Sequence, residues 1–192
     1  MYVQRHPARQ CKFVRPHPPA QLHPIFKGIR PFMIWVLDCI TGLKPPSPEG
    51  YTAVLVIINL FSKGVEAWPI KGTNSEEITR IFHWHIMCRF GKPSVVHTDG
   101  GPEFRGAFVD YTTLYGIRHI SAYNTQATGQ VECINSLLKS AMRMMADMPD
   151  GLPWYHSLPD IVAGFCFLPS CTHRLTPFQA VYKQEPQHPS GI

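Results

Sequence analysis

The sequence predicts an α/β domain: a five-stranded mixed sheet flanked by helices on both faces. Three observations lead there. Two short apolar runs, FMIWVLDCI at 32–40 and YTAVLVIINLF at 51–61, are rich in branched residues and read as buried strands. Segments of helical period then alternate with further short strands, the pattern of helices packed on a sheet. The 192 residues are 44% hydrophobic, enough for one sizeable core.

Taken in order, residues 1–31 contain six prolines and favour an extended arm over helix or central strand. The strand at 33–39 brings Asp38 to its end, and the turn-rich GLKPPSPEG follows. Strands at 52–59 and 64–70 come next, and the first three strands are expected to be antiparallel neighbours. Thr73 and Glu76 in TNSE have capping-box spacing, and the helix they open runs to about Phe90, where Gly91 and Pro93 stop it. A fourth strand, 94–98, ends at Asp99. Phe104, Phe108, Tyr111 and Tyr115 recur at helical spacing over 104–116. A fifth strand, 117–122, precedes a long helix from Gly129 with an apolar stripe of Val131, Ile134, Leu137, Leu138, Ala141 and Met145. A last helix is expected over 154–168.

Charge is unevenly spread. The net charge is +5, and the first 37 residues carry Arg5, Arg9, Lys12, Arg15, Lys27 and Arg30 with no acid. Such an arm suits a polyanion, and equally a solvated linker. The six cysteines form no CxxC pair and read as reduced thiols of an intracellular protein. MYVQRHPARQ has no apolar core of a secretory leader, and no run is long enough to span a membrane.

Three acids stand out. Asp38 and Asp99 close strands, and Glu132 falls in the first turn of the long helix. If the first and fourth strands are neighbours, their ends lie side by side and the helix start can add the third carboxylate. Such a cluster suits Mg²⁺, and a two-metal site clamps the attacking and leaving oxygens of phosphoryl transfer. The alternatives stay open: an acid in a first helical turn is favoured by the dipole alone, and Asp before Gly-Gly is an ordinary turn residue. Asn135, Lys139 and Arg143 follow Glu132 on one helical stripe, suited to a nucleic-acid backbone or simply to solvent.

VLDCITGL, LFSKGVEAWPI, RFGKPSVVHTDGGPEF, TGQVECIN and the closing CTHRLTPFQAVY resemble, in order, the integrase catalytic core of gypsy-type LTR retrotransposons and retroviruses. The resemblance implies an RNase H-like fold over 27–185, between a basic Pro-rich arm at 1–26 and a tail at 186–192. It implies catalytic and metal-binding roles for Asp38, Asp99 and Glu132 with two Mg²⁺ or Mn²⁺ ions. It also implies processing of element DNA ends and their joining to target DNA. Lys139 falls where the family places a DNA-contacting base. Asn135, Arg143, Arg5, Arg9, Lys12 and Arg15 are the other expected nucleic-acid contacts. DNA is the expected partner, with RNA as a second polyanion. A homo-oligomer is expected if the protein is active, in the nucleus when it acts on chromosomal DNA.

The departures carry expectations too. His6 and Arg9 stand where the family's zinc module would end in CxxC, so no structural zinc is expected, only a remnant. The trio His83, His85 and Cys88 is no substitute, because 83 and 85 diverge on a helix; surface histidines and a buried thiol are expected. Glu132 stands closer to Asp99 than is usual, Cys133 follows it in place of a basic residue, and Asn59, Gly64 and Thr125 break family patterns. These predict an impaired copy or, as a rival, a catalytically dead nucleic-acid-binding module. Glu103 and Asp110 are expected outside the metal shell, with Asp110 on an exposed helix surface.

Overall fold

A computed structural model of the chain describes residues 30–121, 126–148, 152–169 and 174–187, without the side chains of 126–132 and 146. The basic arm with its zinc-module remnant and the end of the tail lie outside the described residues. Five strands form one sheet in the order β3-β2-β1-β4-β5. They are β1 (Ile34–Ile40), β2 (Ala53–Asn59), β3 (Val65–Ile70), β4 (Val95–Thr98) and β5 (Arg118–Ser121). β1, β2 and β3 pair antiparallel, as expected, while β4 runs parallel to both β1 and β5. Every residue of β2 is buried, which is why its sequence reads as an unbroken apolar run.

Strand alternation sends side chains to two cores. Trp35 and Leu37 face one core with Leu55, Ile57 and Val96, covered by Ile78, Phe82, Ile86 and Phe108. Val36 and Ile40 face the other, with Val54, Val56 and Ile58, covered by Leu138, Met142, Trp154 and Leu158. The helices of the first layer are α1 (Ser75–Phe82), a π-helical segment His83–Met87, α2 (Cys88–Phe90) and α3 (Ala107–Leu114). Those of the second include α4 (Gln126–Ala146) and α5 (Trp154–Phe167), and α6 (Pro177–Tyr182) packs against α5.

Several expectations need correction. The N-cap of α1 is Asn74, whose side chain accepts from the Glu76 N–H, so Thr73 and Glu76 do not form the capping box. The predicted single helix to Phe90 contains a π-turn. α4 starts at Gln126, before Gly129, so Glu132 lies in its second turn and not, as expected, in its first. Its buried seam runs through Leu138 and Met142, whereas Leu137 is 52% exposed. α6 was not expected, although Thr176 and Gln179 form a complete capping box with Pro177 at the helix start. Asn59 is not a blemish in β2: buried, it donates to the Ile34 carbonyl and accepts from Ser62, closing the turn into β3. Among the described residues, no helix is long and apolar enough to cross a membrane.

Candidate active site

The register of β1 against β4 builds the site. Ile34, Trp35 and Val36 pair with Val95, Val96 and His97. Extending that register two places sets Asp99 level with Asp38. Asp38 takes the parity of Val36 and projects toward the α4 side of the sheet, where Asn135 meets it, and the Asp99 charge, just past the end of β4, acts on it. β1 continues past this point, pairing with β2 as far as Ile40. Asp38 is therefore not the end of its strand, as the sequence suggests, but the place where β4 stops covering it.

Backbone groups hold both carboxylates. Asp38 Oδ1 accepts the Cys39 N–H at 2.8 Å, and Asp99 Oδ1 accepts the Gly101 N–H at 2.9 Å. The loop after Asp99 needs its glycines. Gly100 has φ +78°, and a Cβ there would stand 2.4 Å from Ser121 Oγ. A Cβ on Gly101 would stand 2.5 Å from a Glu103 carboxylate oxygen. That Glu103 is itself buried. It lies close enough to Cys39 that its charge, after burial, helps push the Cys39 thiol up, with Asp38 and Asp99 adding to the effect. Asp110 is exposed, as expected.

α4 crosses this edge. Leu138 and Met142 bury its seam, and one turn before Leu138 the Asn135 amide donates to Asp38 Oδ2. Asn135 is buried, so it turns toward the acid and does not share an exposed face with Lys139 and Arg143. Its amide oxygen is buried with no partner among the described residues. Glu132 lies one turn earlier on the same stripe of α4; its side chain lies outside the described residues.

Burial holds the Asp38 carboxyl above the usual carboxylate range, and the Asp99 charge pushes the same way. The Cys39 N–H, Lys139 and the Asn135 amide oppose them. Two partly buried carboxylates that repel one another, beside an unpartnered amide oxygen, fit a hard divalent cation, which prefers oxygen donors and relieves that repulsion. Among the described residues no group of three His, Cys, Asp or Glu side chains makes a metal site, so Asp38 and Asp99 need a third donor from outside that set.

A groove of about 490 Å³ continues from the C-terminal end of β1. Lys44, Lys139 and Arg143 line it, with Thr41 and Gly42 at the strand end and Trp154 in the wall. The Trp154 Nε1–H donates to the Pro45 carbonyl at 2.9 Å, tying α5 to the loop that carries Lys44. Lys139 and Arg143 are exposed there, whereas Arg5, Arg9, Lys12 and Arg15 lie outside the described residues. Lys44 was not among the expected contacts. Its one signal in the sequence is a cation in the loop leaving the Asp38 strand.

A family model described as the integrase core domain matches residues 29–123. The chain is 32% identical over 163 residues to the Pol polyprotein of Radiation murine leukemia virus (strain Kaplan), covering 83% of this chain and 28% of that protein. It is also 32% identical to the Gag-Pol polyprotein of Feline leukemia virus, covering 83% of this chain and 9% of that protein. The chain thus spans under a third of these relatives. The HTLV-2 integrase catalytic core, solved with magnesium in a trimeric form, superposes with TM-score 0.63 and 25% identity, over 80% of this chain and 99% of that one. A chain of the simian T-cell lymphotropic virus intasome, solved in complex with the PP2A regulatory subunit B56 gamma, gives TM-score 0.67 and 29% identity over 86% of this chain and 59% of that one. With the sheet order, the paired acids and these likenesses in agreement, the chain belongs to the integrase catalytic cores of retroviral and LTR-retrotransposon type, with their RNase H-like fold.

Proposed function

We propose that the chain is a divalent-metal-dependent polynucleotidyl transferase that processes the DNA ends of a retroelement and joins them to target DNA. The observation that carries this reading is the closeness of Asp38 and Asp99, whose charges act on one another, beside an α4 that also carries Lys139 and Arg143 into a cation-lined groove. Asp38, Asp99 and Glu132 would hold Mg²⁺ or Mn²⁺. When bound, such ions stabilise the charge on the attacking and leaving oxygens of an in-line phosphoryl transfer.

The chain's own residues supply the rest. The Cys39 and Gly101 N–H groups each fix one oxygen of a carboxylate. Asn135 anchors the second Asp38 oxygen from α4. Lys44, Lys139 and Arg143 attract the phosphodiester backbone and align it past the acids. No side chain is required as a nucleophile, since water serves in end processing and a DNA 3′-hydroxyl in strand transfer. The similar HTLV-2 core is described in dimeric and trimeric forms, which supports a homo-oligomer as the working state. Action on chromosomal DNA would place it in the nucleus.

The experiment is joining of short duplex ends by the purified chain with Mg²⁺ or Mn²⁺. We expect weak, metal-dependent joining, below that of an intact integrase, because Cys133 replaces a basic residue beside Glu132 and the segment before it is short. Asp38→Asn or Asp99→Asn should abolish joining while leaving the fold intact. Joining that survives either substitution would overturn the roles assigned here. Nucleic-acid binding indifferent to metal, with no joining at all, would favour the rival, a dead binding module, for which the exposed Lys139 and Arg143 suffice.

A further inference from the structure

Residues five apart on an α-helix are separated by about 140° around its axis. On the uninterrupted helix expected from the sequence, His83 and Cys88 would therefore point apart. The π-turn changes this. Between Phe82 and Cys88 the backbone widens by one residue, and the Cys88 N–H donates to the His83 carbonyl, the five-residue bond of a π-helix. Cys88 then sits over His83, and its Sγ lies 3.6 Å from His83 Nε2. The expectation of a buried thiol is also overturned, because Cys88 is exposed.

The imidazole is oriented from its other side. His83 Nδ1 lies 2.8 Å from the Tyr111 hydroxyl on α3, and the Tyr111 ring stands edge-on to the imidazole. Burial, with smaller effects from Tyr115 and Cys88, pushes the Tyr111 hydroxyl up to about 12, so it remains a neutral phenol at physiological pH. In the tautomer whose Nδ1–H donates to the Tyr111 oxygen, Nε2 keeps its lone pair on the side of the thiol.

We propose that His83 and Cys88 form a two-donor site for a borderline metal ion of the Zn²⁺ class. The geometry matches the ion. With Zn–S near 2.3 Å and Zn–N near 2.0–2.1 Å, two ligands of a tetrahedral centre stand about 3.6 Å apart. The thiol and imidazole stand at that separation, 3.6 Å, in a metal-free hydrogen bond that an ion would replace without moving either group far. A Tyr111 oxygen on the far ring nitrogen is the kind of outer partner that fixes a ligating histidine. Metal binding would displace the thiol proton to solvent and leave the imidazole neutral. Among the described residues no third donor joins the pair, so the remaining positions stay open to water.

This site is separate from the acids. His83 belongs to the helical layer over Phe82 and Ile86, whereas Asp38 projects toward α4 on the opposite face of the sheet. The chemistry separates as well: thiolate and imidazole select Zn²⁺-like ions, and carboxylates select Mg²⁺.

Titration of the full, reduced chain with Co²⁺ tests the proposal, read by the near-ultraviolet thiolate-to-cobalt absorption, which a carboxylate site cannot produce. The band should saturate at one ion per chain, and Zn²⁺ should displace it. Cys88→Ser should remove the band, and His83→Gln should weaken binding tenfold or more. Tyr111→Phe should weaken it about tenfold, the lower end of what losing an outer partner costs. Cys133→Ser and Asp38→Asn should leave the titration unchanged, which also keeps this outcome independent of the proposed catalytic function. Absence of the band in the unsubstituted protein, its survival in Cys88→Ser, or unaltered affinity in His83→Gln would overturn the proposal.

Discussion

Removing one charge from the acid pair should stabilise the metal-free protein, and Asp99→Asn is the substitution that isolates this effect. The amide keeps an oxygen for the Gly101 N–H that Asp99 now satisfies, so the loop geometry survives while the charge is lost. Neighbouring strands run 4.7–4.9 Å apart, so carboxylates level across β1 and β4 stand roughly 5 Å apart. Two unit charges at that distance repel by about 3 kcal/mol at an effective dielectric of 20 and by about 0.8 kcal/mol in water. Asp38 and Asp99 are both partly exposed, which favours the lower figure. A gain of about 1 kcal/mol in chelator at pH 7 corresponds to a rise in Tm of roughly 2–4 °C for a domain of this size. The pH dependence has a definite sign. Asp38 is raised in the folded state, so its protonation favours folding below its unfolded value, and that contribution is lost as pH rises through the folded pKa. The advantage of Asp99→Asn should therefore be present at neutral pH and shrink as pH falls toward the usual carboxylate range. Saturating Mg²⁺ should reverse the order, because an ion that binds only the folded unsubstituted protein stabilises it by mass action. Thermal melts at neutral and acidic pH, with chelator and with Mg²⁺, measure all three effects. A variant that melts no higher than the unsubstituted protein in chelator at neutral pH would show that the two carboxylates do not repel one another, and the argument for a cation between them would fall.

Other expectations follow from the same geometry. Gly100→Ala should cost about 1–3 kcal/mol for a non-glycine residue at positive φ, with the Ser121 contact added, and should lower joining by displacing Asp99; chemical denaturation that detects no loss would refute the requirement for glycine. Lys44→Ala and Lys139→Ala should each flatten the log–log salt dependence of DNA binding by about 0.7–0.9, measured by fluorescence anisotropy across salt concentrations. An unchanged slope would place the phosphates outside the groove. Leu138 is fully buried on the core-facing side of α4, so Leu138→Ala should cost about 2–5 kcal/mol in urea denaturation, and a cost well below 1 kcal/mol would mean that α4 is not anchored there.

How much of this was legible in the chain depends on how far each feature reaches. The strands and most helices were, because their signals are local: VLVII in β2 has nowhere to go but a sheet interior, and Gly91 with Pro93 stops a helix without outside help. The capping box of Thr176 and Gln179 was equally local, and α6 could have been read from TPFQ. The candidate acids were visible as residue types beside glycines, although Asp38 lies within β1 and Glu132 beyond the first turn of α4, and the ordered motifs around them marked the family. The arrangement of the site was not. Asp38 and Asp99 are 61 positions apart in the chain, and only parallel pairing of β1 with β4 makes them level. A shift of one residue would turn one carboxylate to the opposite face of the sheet. Asn135, Lys139 and Arg143 share a helical stripe in sequence, yet the packing of Leu138 and Met142 rolls α4 so that Asn135 meets Asp38 while the two cations face the groove. Nothing in the stretch Gly-Gly-Pro-Glu marks Glu103 as buried, yet it packs closely against Gly101. The meeting of His83 with Cys88 depends on a one-residue widening of a helix, which no local propensity encodes because it is the surrounding packing that selects it. The sequence by itself determined which segments form strands and helices and which residues carry the chemistry, since those are properties of short stretches. Register, helix roll and the π-turn were decided by the tertiary structure, because each depends on contacts between segments far apart in the chain.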